Sequence, residues 1–300
     1  MRRAKPSNRL FYGAGKAMAV AMVFAFAFVL WFAQSARTAP WQGPILKMWM
    51  LDVGQGDAFF IEFPSGEQAL IDGGPSNAVL SKLGNILPPW DRSLDAVFLT
   101  HPDADHITGL VSVLDNYNVN VIYESGAMAR TPQAEAFEER FVNKDTERKF
   151  VSSGDEIWFG EAVINVLWPQ ESFEGKYPGN TNDTSLNLLL QYGGTSVLLT
   201  GDSSSEIEKS VGPLAGDVDV LKVGHHGSAG STSYDFLSLT KPEFTLVSVG
   251  EGNYYGLPHP MIIDRLIQFG ARVFRTDFDG DVLLVSDGGE PMVISKPLPY

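Results

Sequence analysis

The chain has 300 residues, 44% of them hydrophobic and 19% charged, a composition that excludes intrinsic disorder and suits one large or two ordinary domains. It contains no cysteine, which excludes disulfides, thiolate metal sites and cysteine nucleophiles. The formal net charge of −14 hides a split: residues 1–40 carry six basic side chains and no acid, leaving 16 bases against 36 acids, a net of −20, on the remainder. A body that acidic offers no broad basic surface to phosphates.

Within the basic start, residues 17–33 (AMAVAMVFAFAFVLWFA) form an uncharged run without a helix breaker. As a helix the run spans ~25 Å, and extending it back to Phe11, with Lys16 snorkelling, matches a hydrocarbon core of ~30 Å. Cations ahead of such a run predict a cytoplasmic stub and a single-pass anchor at the cell membrane, with the body extracytoplasmic. Ala33 and Ser35 offer a small-residue cleavage site, so a cleaved signal peptide and a secreted body are the alternative. Residues 45–300 read as one domain. Strands are predicted over 46–53, 58–62, 68–71, 96–100, 120–123, 157–159, 163–167, 185–191, 197–200, 218–223, 244–247, 272–275 and 282–286, from their β-branched and aromatic content. Helices are predicted over 77–83, 106–116, 132–143, 203–211, 233–239 and 260–269, with Pro132 and Pro260 at first helical positions. Consecutive strands early and a mixture later predict an α/β fold of two packed sheets with helices outside. Residues 169–183 read as a long exposed loop.

The five histidines fall into three motifs: His101 and His106 in HPDADH, His225 and His226 in GHHGS, and His259 in PHP. Each follows an apolar strand or a Gly-rich turn, as do ALIDGG, which holds Asp72, and SVLLTGD, which ends at Asp202. Polar groups leaving the ends of separate strands are how α/β proteins build sites. HPDADH places four ligand-type side chains within six residues, and imidazole with carboxylate suits zinc, manganese or iron. Asp103 or Asp105 is also suited to cap the helix that follows, which explains one carboxylate but not the flanking imidazoles. DVGQGD reads either as a Gly-permitted turn or as a placement of Asp57 near the site. DFDGD (277–281) has its Gly at the wrong position for a calcium loop and reads as a hairpin turn. GHHGSAGS is no serine-hydrolase elbow.

HPDADH resembles the HxHxDH signature of the metallo-β-lactamase fold, with Asp103 in place of the second His. LDVGQGDA (51–58), LIDGG (70–74), HPDADHITGL (101–110), NDTSLNLLL (182–190), LLTGD (198–202), LKVGHHGS (221–228) and YGLPHP (255–260) run in the order of one branch, that of the hydrolase domain of the DNA-uptake protein ComEC and its free-standing relatives. The resemblance implies a four-layer αββα sandwich, here preceded by the N-terminal transmembrane helix, with one or two divalent ions (Zn or Mn) held at one edge. It implies that His101 and Asp103 face the first ion, that Asp105 and His106 face the second, that Asp202 bridges them and that His259 closes the second position. Asp72 would buttress the metal loop. His225 or His226 would contact phosphate or donate a proton, or serve as a ligand, and Ser228 would steady the phosphate. The usual third-motif His is replaced by Asn182, Asp183 and Ser185, so the first position is rich in oxygen.

The resulting expectation is a metal-dependent hydrolase of a phosphodiester, with single-stranded DNA as one substrate and DNA-uptake membrane proteins as partners, in which Asp105, His225 and His226 carry catalysis. The alternatives are a hydrolase of a small ester, lactone or β-lactam, and a non-catalytic component of a DNA-uptake or envelope assembly. The chain has no multi-helix channel with which to transport DNA by itself.

Overall fold

The computed structural model describes residues 43–295. The predicted anchor or signal segment lies outside them, and among the described residues no helix is long and apolar enough to cross a membrane. From residue 44 on, the described residues group as one compact unit.

Among the described residues, fifteen strands form two mixed sheets. The first has eight, in the order β15 (Met292–Ser295), β14 (Val282–Ser286), β1 (Leu46–Met50), β2 (Phe59–Glu62), β3 (Gln68–Ile71), β4 (Ser93–Leu99), β5 (Asn118–Glu124) and β6 (Glu147–Phe150), and the second seven, in the order β13 (Arg272–Arg275), β12 (Phe244–Val247), β11 (Val220–Lys222), β10 (Thr195–Leu199), β9 (Asn187–Tyr192), β8 (Ala162–Trp168) and β7 (Glu156–Phe159). The strands that position polar groups are β1 (Leu46–Met50), β2 (Phe59–Glu62), β3 (Gln68–Ile71) and β4 (Ser93–Leu99) in the first sheet, and β9 (Asn187–Tyr192), β10 (Thr195–Leu199), β11 (Val220–Lys222) and β12 (Phe244–Val247) in the second. β3 and β4 are parallel, as are β10, β11 and β12, so their C-terminal ends open on the same edge of their own sheet.

Side-chain alternation explains the layering. On β1 and β2, Leu46, Met48, Met50, Phe59 and Ile61 point into the core between the sheets, while Trp49 and Phe60 point outward. On β10, Val197 and Leu199 point inward and Leu198 outward. Each outer face must therefore be covered, because an apolar sheet face left in water forfeits ~25 cal/mol per Å². Helices α1 (Ala78–Ile86), α2 (Ala104–Asn116) and α3 (Pro132–Val142) cover the first sheet with Leu83, Leu110, Val113 and Phe137. Helices α4 (Ser205–Ala215), α5 (Tyr234–Thr240) and α6 (Pro260–Gln268) cover the second with Val211, Phe236, Ile262 and Leu266. The expected αββα order of layers is present, and Phe63 stacks on Phe159 at 4.0 Å where the sheets meet.

Two strands had no signal in the sequence. β6 (Glu147–Phe150) and β15 (Met292–Ser295) are edge strands with mostly exposed or half-buried side chains, which need neither alternation nor an apolar run. The segment DFDGD does not make a hairpin. It joins β13 (Arg272–Arg275) of one sheet to β14 (Val282–Ser286) of the other through a short helix, α7 (Thr276–Asp279). Its carboxylates serve protein groups: Asp277 binds the Arg275 guanidinium, Asp279 accepts from Arg275 N, and Asp281 takes Asp52 N and the Lys82 ammonium.

Candidate metal centre

The HPDADH segment leaves β4 and turns into α2. Asp103 stands at the helix N-cap, yet its carboxylate makes no cap bond and instead accepts from the Thr181 hydroxyl. The helix is pulled toward the edge by two close backbone approaches. A Cβ on Gly109 would lie 1.8 Å from Gly73 O, and one on Gly56 2.1 Å from Asp105 O. Only glycine fits at both, which gives the LIDGG and DVGQGD turns a packing purpose.

Asp72, at φ 57° after β3, anchors what this brings together. Its Oδ1 accepts from Thr100 N (2.8 Å), and its Oδ2 from Thr100 Oγ1 (2.7 Å) and His106 Nδ1 (2.7 Å). The Thr100 hydroxyl thus donates to Asp72 and accepts from His101 Nδ1 at 3.0 Å. His226 Nδ1 donates to the Ser248 carbonyl at 2.8 Å. These partners assign the same tautomer to three imidazoles, with Nδ1 protonated and the Nε2 lone pair free. All three Nε2 atoms are buried without a hydrogen-bond partner.

Their surroundings are carboxylates. His106 Nε2 lies 3.5 Å from Asp202 Oδ1, His226 Nε2 lies 3.3 Å from Asp202 Oδ2 and 3.4 Å from Asp105 Oδ2, and His101 Nε2 lies 3.7 Å from Asp103 Oδ2. Asp105, His106, Asp202 and His226 each offer one atom within 4.8 Å of the others. Bare lone pairs facing bare carboxylates are unfavourable unless a cation or protons lie between them. Two imidazoles and two carboxylates at that spacing, each imidazole oriented through its second nitrogen, fit a divalent transition metal.

Residues from the second sheet complete the cluster. Asp202 follows β10, and its amide donates to Ser185 Oγ at 3.1 Å. His225 and His226 lie on a tight turn after β11, both with positive φ, so the adjacent rings diverge. His226 is buried, whereas the His225 side chain is 38% exposed with Nε2 3.7 Å from Asp202 Oδ2. Behind the turn, buried Glu208 accepts from Thr232 N and Ser233 N, and Arg265 donates to Thr232 O, which holds this backbone in place.

Sequence reasoning missed Lys222. Its ammonium, buried, sits 2.5 Å from Asp57 Oδ2 and 3.4 Å from Asp202 Oδ1 and donates to Gly201 O at 2.6 Å. The signal was a lone base inside the apolar strand VLKV. Asp57 is therefore an ion-pair partner at the back of the cluster, with Oδ1 3.4 Å from His226 Nδ1. Thr181 was missed too, having been read as part of an exposed loop.

The electrostatics follow from this crowding. Burial opposes ionisation of Asp202, but His226, His106 and Lys222 outweigh it and hold its carboxyl well below the usual range. Burial likewise opposes charge on His106 and His226, yet Asp202, with Asp72 for the one and Asp57 for the other, raises both well above the ordinary imidazole value. His101 goes the other way, lowered to about 4 by burial and the neighbouring His106. Burial raises Asp103, with the Thr181 bond opposing in part.

Several expected residues are placed or engaged differently. His259, assigned by resemblance to the second ion, is exposed and caps α6, its Nδ1 accepting from Met261 N at 3.2 Å; His226 Nε2 occupies the cluster instead. Of the third-motif residues, Asp183 accepts from Ser204 Oγ and Ser185 serves Asp202, while Asn182 Oδ1 is buried without a partner. Ser228 Oγ accepts from Gly230 N at 3.4 Å within its own turn. A cavity of about 170 Å³ opens over the cluster, lined by Gln55, Asp103, Asp105, Asp202, His225, His226, Tyr255 and Leu257. Larger depressions near β7 (Glu156–Phe159) contain no histidine, so size does not mark the chemistry here.

Residues 51–251 match the family model of the Metallo-beta-lactamase superfamily. The chain belongs to that superfamily. Among characterised sequences it is similar to ComE operon protein 3 of Bacillus subtilis (32% identical, covering 78% of this chain and 32% of that one) and to Recombination protein 2 of Haemophilus influenzae (32% identical, covering 80% and 29%). Competence protein ComA of Neisseria gonorrhoeae is 29% identical over 76% of this chain and 30% of its own. The chain spans about a third of the length of these relatives. Among solved structures, the metallo-beta-lactamase fold protein YhfI of Bacillus subtilis superposes with a TM-score of 0.53 at 17% identity, covering 77% of this chain and 95% of that one. The chain is thus a member of the metallo-beta-lactamase superfamily related to competence proteins, with a candidate metal centre built of histidine and aspartate.

Proposed function

We propose that this metallo-beta-lactamase protein is a membrane-anchored, extracytoplasmic phosphodiesterase that acts on single-stranded DNA beside DNA-uptake membrane proteins. The observation that carries the site assignment is the set of three imidazoles whose Nδ1 atoms are satisfied and whose Nε2 lone pairs face shared carboxylates. His101, Asp103 and Asp202 would hold a first divalent ion, with Asn182 Oδ1 as an added oxygen, and Asp105, His106, His226 and Asp202 a second. Charge supports two ions: Asp57, Asp72, Asp103, Asp105 and Asp202 against Lys222 leave four negative charges, which two divalent cations neutralise. So oxygen-rich a set suits Mn²⁺ at least as well as Zn²⁺.

Such ions supply Lewis acidity and a water acidic enough to act as a nucleophile near neutral pH. The protein does the rest. Asp202, tied by Ser185 and Lys222, is fixed between the imidazoles. The leaving oxygen needs a proton, and His225, at the cavity wall with its ring open to solvent, would give it. His226 is buried and held by Ser248, which leaves it the ligand role. Ser228 stands next to this turn and would steady the phosphate.

Metal content by mass spectrometry, followed by assays on single-stranded DNA, bis-p-nitrophenyl phosphate and nitrocefin, tests the reading. The expected result is bound ions and cleavage of the first two. Cleavage of nitrocefin alone would make the chain a small-substrate hydrolase, and a metal-loaded chain inert on all three would make it a non-catalytic component.

A further inference from the structure

The segment 250–259 between β12 and α6 borders the metal cavity and carries two exposed aromatic rings, one of which lines it. Tyr255 lines the cavity and is 74% exposed, and its neighbour Tyr254 is 105% exposed. Neither ring contributes packing on this scale, so the fold does not explain them.

The backbone that carries them is tied down. Asn253 donates to Gly250 O (2.9 Å) and Leu257 O (2.7 Å) and accepts from Tyr255 N (3.2 Å) and Leu257 N (3.1 Å). At one end Gly250 N donates to Gln55 Oε1, and a Cβ there would lie 2.6 Å from Gln55 N. At the other end His259 N donates to Gly227 O (2.9 Å), and a Cβ on Gly227 would lie 2.5 Å from the Pro258 ring. The tyrosine loop is thereby docked on the DVGQGD turn and on the histidine turn, the same turns that build the metal cluster.

A second consideration is charge. The body carries a net of −20, and Asp103 and Asp105 stand partly exposed in the cavity. A polyanion cannot be held here by a basic surface. Aromatic stacking supplies affinity without positive charge and regardless of base identity, and it requires bases that are not already stacked in a duplex.

We propose that Tyr255, with Tyr254 beside it, is a base-stacking platform that selects unpaired nucleotides and aligns the adjacent phosphodiester over the metal cluster. The proposal rests on the phosphodiesterase reading and names the residues by which that site would favour a single strand.

The test is steady-state cleavage by the full, metal-loaded chain of an oligothymidylate, an abasic strand of equal length, and bis-p-nitrophenyl phosphate. The oligothymidylate is expected to exceed the abasic strand in kcat/KM by about fivefold to a hundredfold, the range of one to a few lost stacking contacts, mainly through KM. Tyr255→Ala should remove that preference and Tyr255→Phe, which keeps the ring, should retain it. Equal kcat/KM on the two strands, or a preference that survives in Tyr254→Ala/Tyr255→Ala, overturns the platform and leaves the phosphodiesterase reading standing. Turnover of bis-p-nitrophenyl phosphate with neither strand cut overturns the platform and single-stranded DNA as the substrate, and leaves only the phosphodiester chemistry standing. A chain that binds metal and turns over none of the three overturns both.

Discussion

Asp72→Asn tests how far the metal cluster depends on a side chain that touches no ion. The carboxylate accepts three hydrogen bonds, from Thr100 N, Thr100 Oγ1 and His106 Nδ1, all within 2.8 Å. An amide has one oxygen. Placed at the Oδ2 position it still serves the hydroxyl and the imidazole, but its NH2 then meets the Thr100 N–H, donor against donor. Turned over, the NH2 meets two donors. The cheaper orientation strands a buried amide pair, which costs about 1–3 kcal/mol. His106 then donates to a neutral oxygen instead of a carboxylate, which makes Nε2 a poorer ligand; loss of such an orienting partner weakens metal binding about 10- to 100-fold. Calorimetric titration of the chelator-stripped protein with Mn²⁺ or Zn²⁺ measures the second effect, and urea unfolding of the metal-free protein the first. Binding within twofold of wild type, with unfolding unchanged, would refute the claim that Asp72 sets the His106 tautomer.

Four further outcomes are expected. His225→Ala should keep its full metal content and lose about 10²- to 10⁴-fold in the rate of DNA cleavage, with a smaller loss on p-nitrophenyl substrates, whose leaving group needs little protonation; His226→Ala should lose metal and activity together, as plasma mass spectrometry of the dialysed proteins will show. His259→Ala should retain all metal and forfeit only a helix cap, at about 0.5–2 kcal/mol in a denaturation experiment; metal loss would return His259 to the ligand set. Because His106 and His226 are raised above the ordinary value of 6.5, their contribution to the metal-free fold should be fully present below that pH and fade as pH rises through the raised values, while metal affinity, which requires their deprotonation, rises with pH; chelator competition at a series of pH values that shows no such slope would contradict this. Removal of residues 1–40 should leave a soluble, monodisperse domain by size-exclusion chromatography, since the described residues from 44 on pack as their own unit.

The sequence made the sandwich legible because strands such as LKMWM and FFIE, buried on both faces, and proline-led helices leave local signals. It also located HPDADH, whose ligands lie within one strand-to-helix turn. What it left obscure depends on contacts between distant segments. PHP and GHH look equally like ligand motifs, and only the fold shows His259 occupied with its own helix and His226 turned inward. Two adjacent residues with positive φ point in directions that neither strand nor helix periodicity foresees. Lys222 sits in an ordinary strand position, and its meaning comes from Asp57, far away in sequence. Thr181 lies in a loop judged exposed because its composition is polar, yet it is joined to Asp103.

The cluster draws its members from both halves of the sandwich. Asp72, His101, Asp103, Asp105 and His106 ride on elements that leave β3 and β4 of the first sheet, whereas Asp202 and His226 leave β10 and β11 of the second. An ion shared by these groups is consequently a rivet through the seam. Its loading state would govern more than reactivity: it would couple two layers that otherwise cohere at that edge through the buried Asp57–Lys222 ion pair, apolar contact and a few hydrogen bonds. Starving the chain of metal would thereby also remove a tie at the mouth of the sandwich, away from the end where Phe63 rests on Phe159.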